Sequence, residues 1–322
     1  MSSFGVGRVS SLFVYPMSFD EFLTATGQEG LLRTKRNSSP TNPLPEAFYN
    51  RLVEAFRSYM LVGGMLEAVA TYTETGSYRY SSDIVSEIIQ GYQDDFAKYG
   101  AKANPLLLLQ TLISVAHQAG AKFVYSRVEG QYRSAEVKVA LEMLKDAGLI
   151  IPTYHTDANG VPLGAEINER VVKYLIHDTG VLLGILGIDD DIDDSIKEMM
   201  VADSINLVDK GHVAEMMAGL ELIKYSSPQK RHQLYYWQNM NKGTCAEVDY
   251  VIARSGSIVP IEVKSGVKGS MSSMYSLMRN PQKHIEMGIR CSLENFGTFE
   301  SPDGKKIDII PLYAISNLFA EK

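Results

Sequence analysis

Residues 247–265 read EVDYVIARSGSIVPIEVKS. Two short apolar runs flank the turn Ser255-Gly256-Ser257, the pattern of a β-hairpin with Asp249 in its first strand and Glu262 and Lys264 in its second. Side chains alternate faces along a strand, so Glu262 and Lys264 share one side while Ile261 and Val263 take the other. Two readings of that shared face stay open on residue chemistry alone. A carboxylate and an ammonium on a solvated strand form a weakly stabilising surface pair. However, Val259 to Val263 has the composition of a core strand, where a charge is unfavourable unless it has partners.

The flanking sequence supplies such partners. Upstream, GHVAEMMAGLELIKY (211–225) has helical spacing through Val213, Met216, Met217, Leu220 and Ile223 and carries Glu215. A strand, LYYWQ (234–238), lies between that helix and the hairpin, and strands near Arg290 and at KIDIIPLYAI (306–315) follow it. A helix, three strands and further α/β structure make a compact mixed domain. Cleaving a phosphodiester requires charge on the phosphate to be neutralised and a nucleophile to be generated, and Mg²⁺ or Mn²⁺ held by a few carboxylates does both. Asp249 and Glu262 are the candidate metal ligands from adjacent strands, with Glu215 adding a carboxylate from the helix. Lys264 is the candidate to orient the attacking water or stabilise developing negative charge.

Toward the N-terminus the spacing changes from period two to helical. Ser18 before Asp20 and Glu21 marks a helix start, Glu46 to Val62 and Asp83 to Tyr99 carry apolar stripes, and the proline-rich Thr34 to Pro45 reads as a loop. Residues 1–100 are expected to form a helical module. Residues 101–188 read as three helices (Leu106 to Ala119, a short turn at Ser126 to Glu129, Ser134 to Ala147), then strands at Leu149 to His155 and Arg170 to Ile176. That is a winged-helix arrangement, whose third helix can enter a major groove. Arg133, Lys138 and Lys145 on that helix are candidate DNA contacts, offset by Glu136, Glu142 and Asp146. The third domain is expected over 189–322, with the acidic run Asp189 to Asp194 as a solvated linker. The fold class is α/β (α+β).

Composition excludes several classes. The 322 residues carry a net charge of −7, with 45% hydrophobic and 21% charged residues, which argues against a general basic coat for nucleic acid. Two cysteines, Cys245 and Cys291, and no charged-then-apolar leader point away from a disulfide scaffold and toward a reducing cytoplasm. No apolar run reaches the roughly 18–20 residues of a membrane span. The acidic run has Asp194 and Met200 where a calcium loop starting at Asp189 would need glycine and glutamate. The six histidines lack paired spacing for zinc.

The pattern Glu-Val-Asp, a turn, then Pro-Ile-Glu-Val-Lys-Ser resembles the PD-(D/E)XK restriction-endonuclease-like fold. Asp249, Glu262 and Lys264 match its acid, acid and lysine, and Glu215 its helical glutamate. The chain as a whole resembles the C-terminal portion of a bacterial and archaeal family of AAA-type ATPases that carry such a domain. The matching stretches are collinear: GRVSSLFVYPMSFDEFL, YMLVGGMLEAV, QGYQDDFAKYG, IHDTGVLLGILG, GHVAEMMAGLEL, YYWQNMNKGTCAEVDYVI, VPIEVKSG and IIPLYAISNL. The resemblance implies a metal-dependent nuclease-like function and ATP as a cofactor of a full-length family member. The phosphate-cradling GxxxxGK[ST] does not occur here, because Gly304-Lys305 is followed by lysine and has Phe299 at the upstream glycine position. This chain alone is therefore not expected to hydrolyse ATP, and its start suggests a truncated or split form. Arg8, in the Gly-Arg turn, is a weaker candidate for sensing a nucleotide phosphate.

Two functions from different classes follow. One is a metal-dependent nuclease or DNA-processing module in an ATPase-coupled machine. The other is a non-catalytic module that binds DNA or protein. DNA, the ATPase core and other copies of the chain are the expected partners, with no membrane.

Overall fold

A computed structural model of the chain describes residues 10–98, 104–187, 194, 210–239, 246–266 and 269–319. It is a mixed α/β structure, helical in its N-terminal part and sheet-rich in its C-terminal part. Arg8, residues 189–193 and Cys245 lie outside the described residues.

Five helices open the chain: α1 (Phe19–Ala25), α2 (Glu29–Arg36), α3 (Glu46–Val62), α4 (Leu66–Thr75) and α5 (Tyr78–Lys98). The start of α1 is the expected one. Ser18 accepts from the Glu21 N–H, and the Glu21 carboxylate takes the Ser18 N–H at 2.7 Å, so two otherwise orphaned donors are satisfied. Helix α2 occupies the start of the segment read as a proline-rich loop, and the loop proper begins only at Asn37. Helix α3 ends at Gly63, whose φ of +77° favours glycine and whose Cβ would lie 2.2 Å from an Asp178 oxygen.

Helix α6 (Pro105–His117), a 3-10 turn at Tyr125–Arg127 and helix α7 (Ser134–Asp146) precede the antiparallel strands β1 (Ile150–Thr156) and β2 (Ile167–Ile176). Strand β2 begins three residues before the expected Arg170, and the connection from β1 contains a 3-10 turn at Leu163–Glu166. Asp178 caps α8 (Thr179–Ile185) by accepting from Val181 N, and also takes the Gly64 N–H at 2.6 Å.

Helix α9 (Lys210–Lys224) is followed by β3 (Leu234–Gln238), which pairs in parallel with β1, so the β1–β2 hairpin and the later strands build one sheet of order β2-β1-β3-β4. The hairpin expected over 247–265 is interrupted. Residues 247–248 form β4 with β3, and Tyr250–Arg254 form β5 with β6 (Ser257–Val263). Asp249 sits at the break between them. The second sheet has the order β5-β6-β7-β9-β8, with β7 (Met287–Ser292), β8 (Gly297–Glu300) and β9 (Lys306–Pro311). Pro260 is tolerated inside β6 because parallel pairing with β7 begins only at Ile261. The last strand stops at Pro311 rather than running to Ile315; Leu312–Leu318 is a 3-10 helix. Helix α10 (Ser272–Arg279) crosses between β6 and β7.

Helix α9 is buried along almost its whole length, between the N-terminal helices, the sheets and the C-terminal 3-10 helix. Its second half lies in a polar lock. Glu221, 1% exposed, accepts from the Tyr59 hydroxyl at 2.8 Å and from Phe19 N at 3.2 Å, while Asp20 is ion-paired with the fully buried Lys35. Ser316 of the C-terminal 3-10 helix accepts from Lys35 at 2.7 Å. These contacts join the first and last elements around α9 and so fix where Glu215, two turns earlier, points.

Candidate functional site: an acidic cluster with two lysines

Strand register assembles the site. Tyr250 pairs with Ile261, so one step further along the same register Asp249 stands opposite Glu262, and the period of two puts Glu247 and Lys264 on that face as well. Asp249 accepts from the Val263 N–H at 2.7 Å through Oδ2, which fixes the carboxylate at the strand break. Lys264 N donates to Cys291 O at 2.7 Å and its ammonium donates to Glu262 Oε1 at 2.7 Å. Glu262 is 5% exposed, and its other oxygen, Oε2, is buried without a hydrogen-bond partner. A buried carboxylate oxygen without a protein donor can accept from a cation or carry a proton.

Glu215 comes from α9. Its backbone carbonyl accepts from the buried Tyr250 hydroxyl at 2.8 Å, which pins that turn of the helix to β5. One oxygen each from Glu215, Glu247 and Asp249 can lie within 4.8 Å of the others. The four expected residues are thus brought to one place, Glu215 and Asp249 in this triad and Glu262 and Lys264 beside it.

Two residues were not foreseen. Glu247, two residues before Asp249, lies on the same strand face. Lys173 stands on β2. Its ammonium, 2% exposed, lies 2.8 Å from Glu215 Oε1, 2.5 Å from Glu247 Oε1 and 5.0 Å from the centre of the Tyr236 ring.

Electrostatics follow from burial. Desolvation pushes the Glu215 carboxyl up to about 8 against the pull of Lys173, and the Glu262 carboxyl up to about 7, with Asp249 adding to the rise. Asp249 is also raised, by burial first. Burial alone would lower Lys173, but the Glu215 and Glu247 carboxylates outweigh it and hold the lysine protonated above its usual range. Four carboxylates facing two ammonium groups leave the fully ionised cluster two negative charges in excess, the charge that a divalent cation neutralises. The all-oxygen donor set suits Mg²⁺ or Mn²⁺. Together with the orphaned Glu262 oxygen, it fits the metal the sequence implied.

Arg133, Lys138 and Lys145 are not brought to this site. Arg133 and Lys138 are exposed at the start and first turns of α7, Lys145 is ion-paired with Glu142, and no hydrogen bond or ion pair among the described residues joins them to the acidic cluster. Among the described residues no helix is long and apolar enough to cross a membrane.

Residues 53–192 match the model of a domain of unknown function, DUF8612, and residues 210–315 match that of a second, DUF4143. DUF4143 is a domain often found in the C-terminal part of AAA-type ATPases. Neither a curated protein nor a solved structure matches the chain. Glu215, Glu247, Asp249, Glu262 and Lys264 all fall within the second match and Lys173 within the first, so the ion pair Lys173–Glu215 joins the two matched segments.

Proposed function

We propose that this chain is a metal-dependent phosphodiesterase module of the PD-(D/E)XK type that acts on DNA in the cytoplasm as the C-terminal part of an AAA-type ATPase, with a winged-helix unit beside it. The observation that carries this reading is the Glu262 carboxylate: 5% exposed, one oxygen on Lys264, the other buried without a partner, opposite Asp249. A buried carboxylate with an unpaired oxygen costs stability unless a cation or a proton satisfies it.

Asp249, Glu262 and Glu215 would hold Mg²⁺ or Mn²⁺, which when bound neutralises phosphate charge and lowers the pKa of a water. Asp249 is prepared for this by the Val263 N–H, which holds its Oδ2. Lys264, half-buried, is positioned by Glu262 Oε1 and supplies a fixed positive charge and a donor to the attacking water or to the phosphate oxygens as charge builds there. The Arg290 guanidinium donates to Gly266 O at 3.1 Å and to Glu294 at 2.7 Å, bracing the turn just after Lys264.

A second reading, a module that binds DNA or protein without cutting, is favoured by one observation: Lys173 already neutralises part of the acidic cluster. Incubating the folded chain with plasmid, single-stranded DNA and RNA in Mg²⁺ or Mn²⁺, beside Asp249→Ala and Lys264→Ala, separates the two. Cleavage lost in both variants supports the nuclease. Equal inertness of wild type and variants on all three substrates leaves the binding module.

A further inference from the structure

Lys173 is placed unlike an ordinary structural lysine. It projects from β2, a strand of the hairpin, into a cluster built by α9 and β4, in the other matched segment of the chain. Its ammonium touches Glu215 Oε1 at 2.8 Å and Glu247 Oε1 at 2.5 Å, and these carboxylates are two of the three whose oxygens lie close enough to share an ion. The third, Asp249, has its Oδ2 on Val263 N, and Glu262 beyond it has a buried free oxygen. The cluster therefore has two ends. One already holds a cation, the lysine. The other, Asp249 and Glu262 with the second oxygen of Glu215, offers carboxylate oxygen and no cation but Lys264, which occupies Glu262 Oε1.

We propose that Lys173 is the resident cation on Glu215 Oε1 and Glu247 Oε1 and excludes a divalent ion from those two oxygens, so that the chain takes one divalent ion, at Asp249, Glu262 and the second oxygen of Glu215. This rests on the metal-site reading above and adds to it the number of ions and the residue that sets it. The physical basis is mutual exclusion. A buried ammonium within 2.8 Å of two carboxylate oxygens leaves no room for a second cation on the same oxygens, and two cations a few ångströms apart repel strongly where water is scarce. The lysine also cannot leave cheaply. It is 1% exposed as a residue, its backbone pairs with Thr153 on one side and bridges to Lys122 on the other, and its ammonium lies over the Tyr236 ring. Removing its charge leaves Glu215 and Glu247 without a counter-ion, which a divalent cation can replace.

The test is the number of Mn²⁺ ions bound per folded full-length chain, counted by electron paramagnetic resonance of free Mn²⁺, for wild type, Lys173→Met, Lys173→Gln and Lys173→Arg. The expected result is one ion for wild type and Lys173→Arg and one more for Lys173→Met and Lys173→Gln. If Lys173→Met is unfolded in metal-free buffer, its refolding on adding millimolar Mn²⁺ is the same gain read through stability, since an ion that binds only the folded chain stabilises it. Folded neutral variants that bind no additional ion, or unfolded ones that Mn²⁺ does not refold, overturn the proposal. Failure of the underlying metal-site reading looks different: wild type then binds no ion, while a gain in the neutral variants still supports the role of Lys173.

Discussion

The Lys173 ammonium on strand β2 lies 2.8 Å from the Glu215 carboxylate on helix α9, an ion pair with side chains only 2% and 10% exposed. It links segments 42 residues apart in sequence and makes the acidic cluster depend on the hairpin as well as on the domain that carries its acids.

Because Glu262 is a buried carboxylate with one oxygen unpartnered, Glu262→Gln is expected to abolish cleavage while leaving the metal-free fold equally or more stable. Removing a buried charge relieves its desolvation, on the order of 1 kcal/mol or a few degrees of unfolding temperature. Thermal unfolding in chelator, beside a cleavage assay, reads both effects; a large drop in unfolding temperature contradicts the assignment of Glu262 as a functional rather than a stabilising group.

The raised carboxyls give stability a pH dependence of definite sign. Glu215 and Glu262 bind protons in the folded chain up to about 8 and about 7, against 4.5 for an ordinary glutamate. The folded state thus binds more protons than the unfolded one in that window, so their contribution is complete below about pH 4.5 and is lost as pH rises through about 7 and 8. Metal-free protein should lose stability between pH 5 and pH 8, by up to about 6 kcal/mol at about 1.36 kcal/mol per pH unit and group, and Glu262→Gln should flatten the slope. Divalent ion should bind more tightly over the same rise, because the ligands must be deprotonated. Denaturant unfolding at pH 5 and pH 8 checks the sign; stability that rises with pH and is unaffected by the substitution contradicts it.

Much of this was legible in the sequence because it is periodic. The ends of α3, the strand Leu234–Gln238 and the Glu262–Lys264 face follow from periods of 3.6 and 2 over contiguous residues. Glu215, Asp249, Glu262 and Lys264 were legible as a pattern of residue types at known spacing. Glu247 was within reach of the same period-two rule. Lys173 was not, since its partners are 42 and 74 residues away and nothing in INERVVKYLI distinguishes a lysine aimed into a core from one on a solvated edge. The last strand ends before its apolar run does, because Leu312 to Ile315 pack into the core equally well as a 3-10 turn after Pro311.

Gly120 is expected to resist substitution because of the site above it. It has φ +73°, and an added Cβ would lie 2.7 Å from the His212 ring and 3.1 Å from Glu215 Oε2. Gly120→Ala should destabilise the chain by roughly 1–2 kcal/mol through the left-handed backbone and weaken metal binding by displacing Glu215, whereas Gly76→Ala, at φ +68° with open space around it, should show only the first effect. Metal affinity measured on both separates strain from displacement; equal affinities contradict the placement of Glu215 among the ligands.

The polar lock around α9 predicts coupling between the chain's ends. Lys35 is fully buried against Asp20 and Ser316, so Asp20→Ala should destabilise by about 3–5 kcal/mol by leaving the lysine unpaired, and Lys35→Met should recover part of that loss in the double variant. Urea unfolding of the two single variants and the double one measures it; additive losses contradict a direct pair.

The central claim is that Asp249, Glu262 and Glu215 form a divalent-cation site. Isothermal titration of Mn²⁺ into the folded wild-type chain at pH 8, beside Asp249→Asn and Glu262→Gln, tests it most directly. The account predicts saturable binding in wild type, weakened at least about tenfold in each variant. No binding to folded wild type, or binding that both variants leave unchanged, would contradict it.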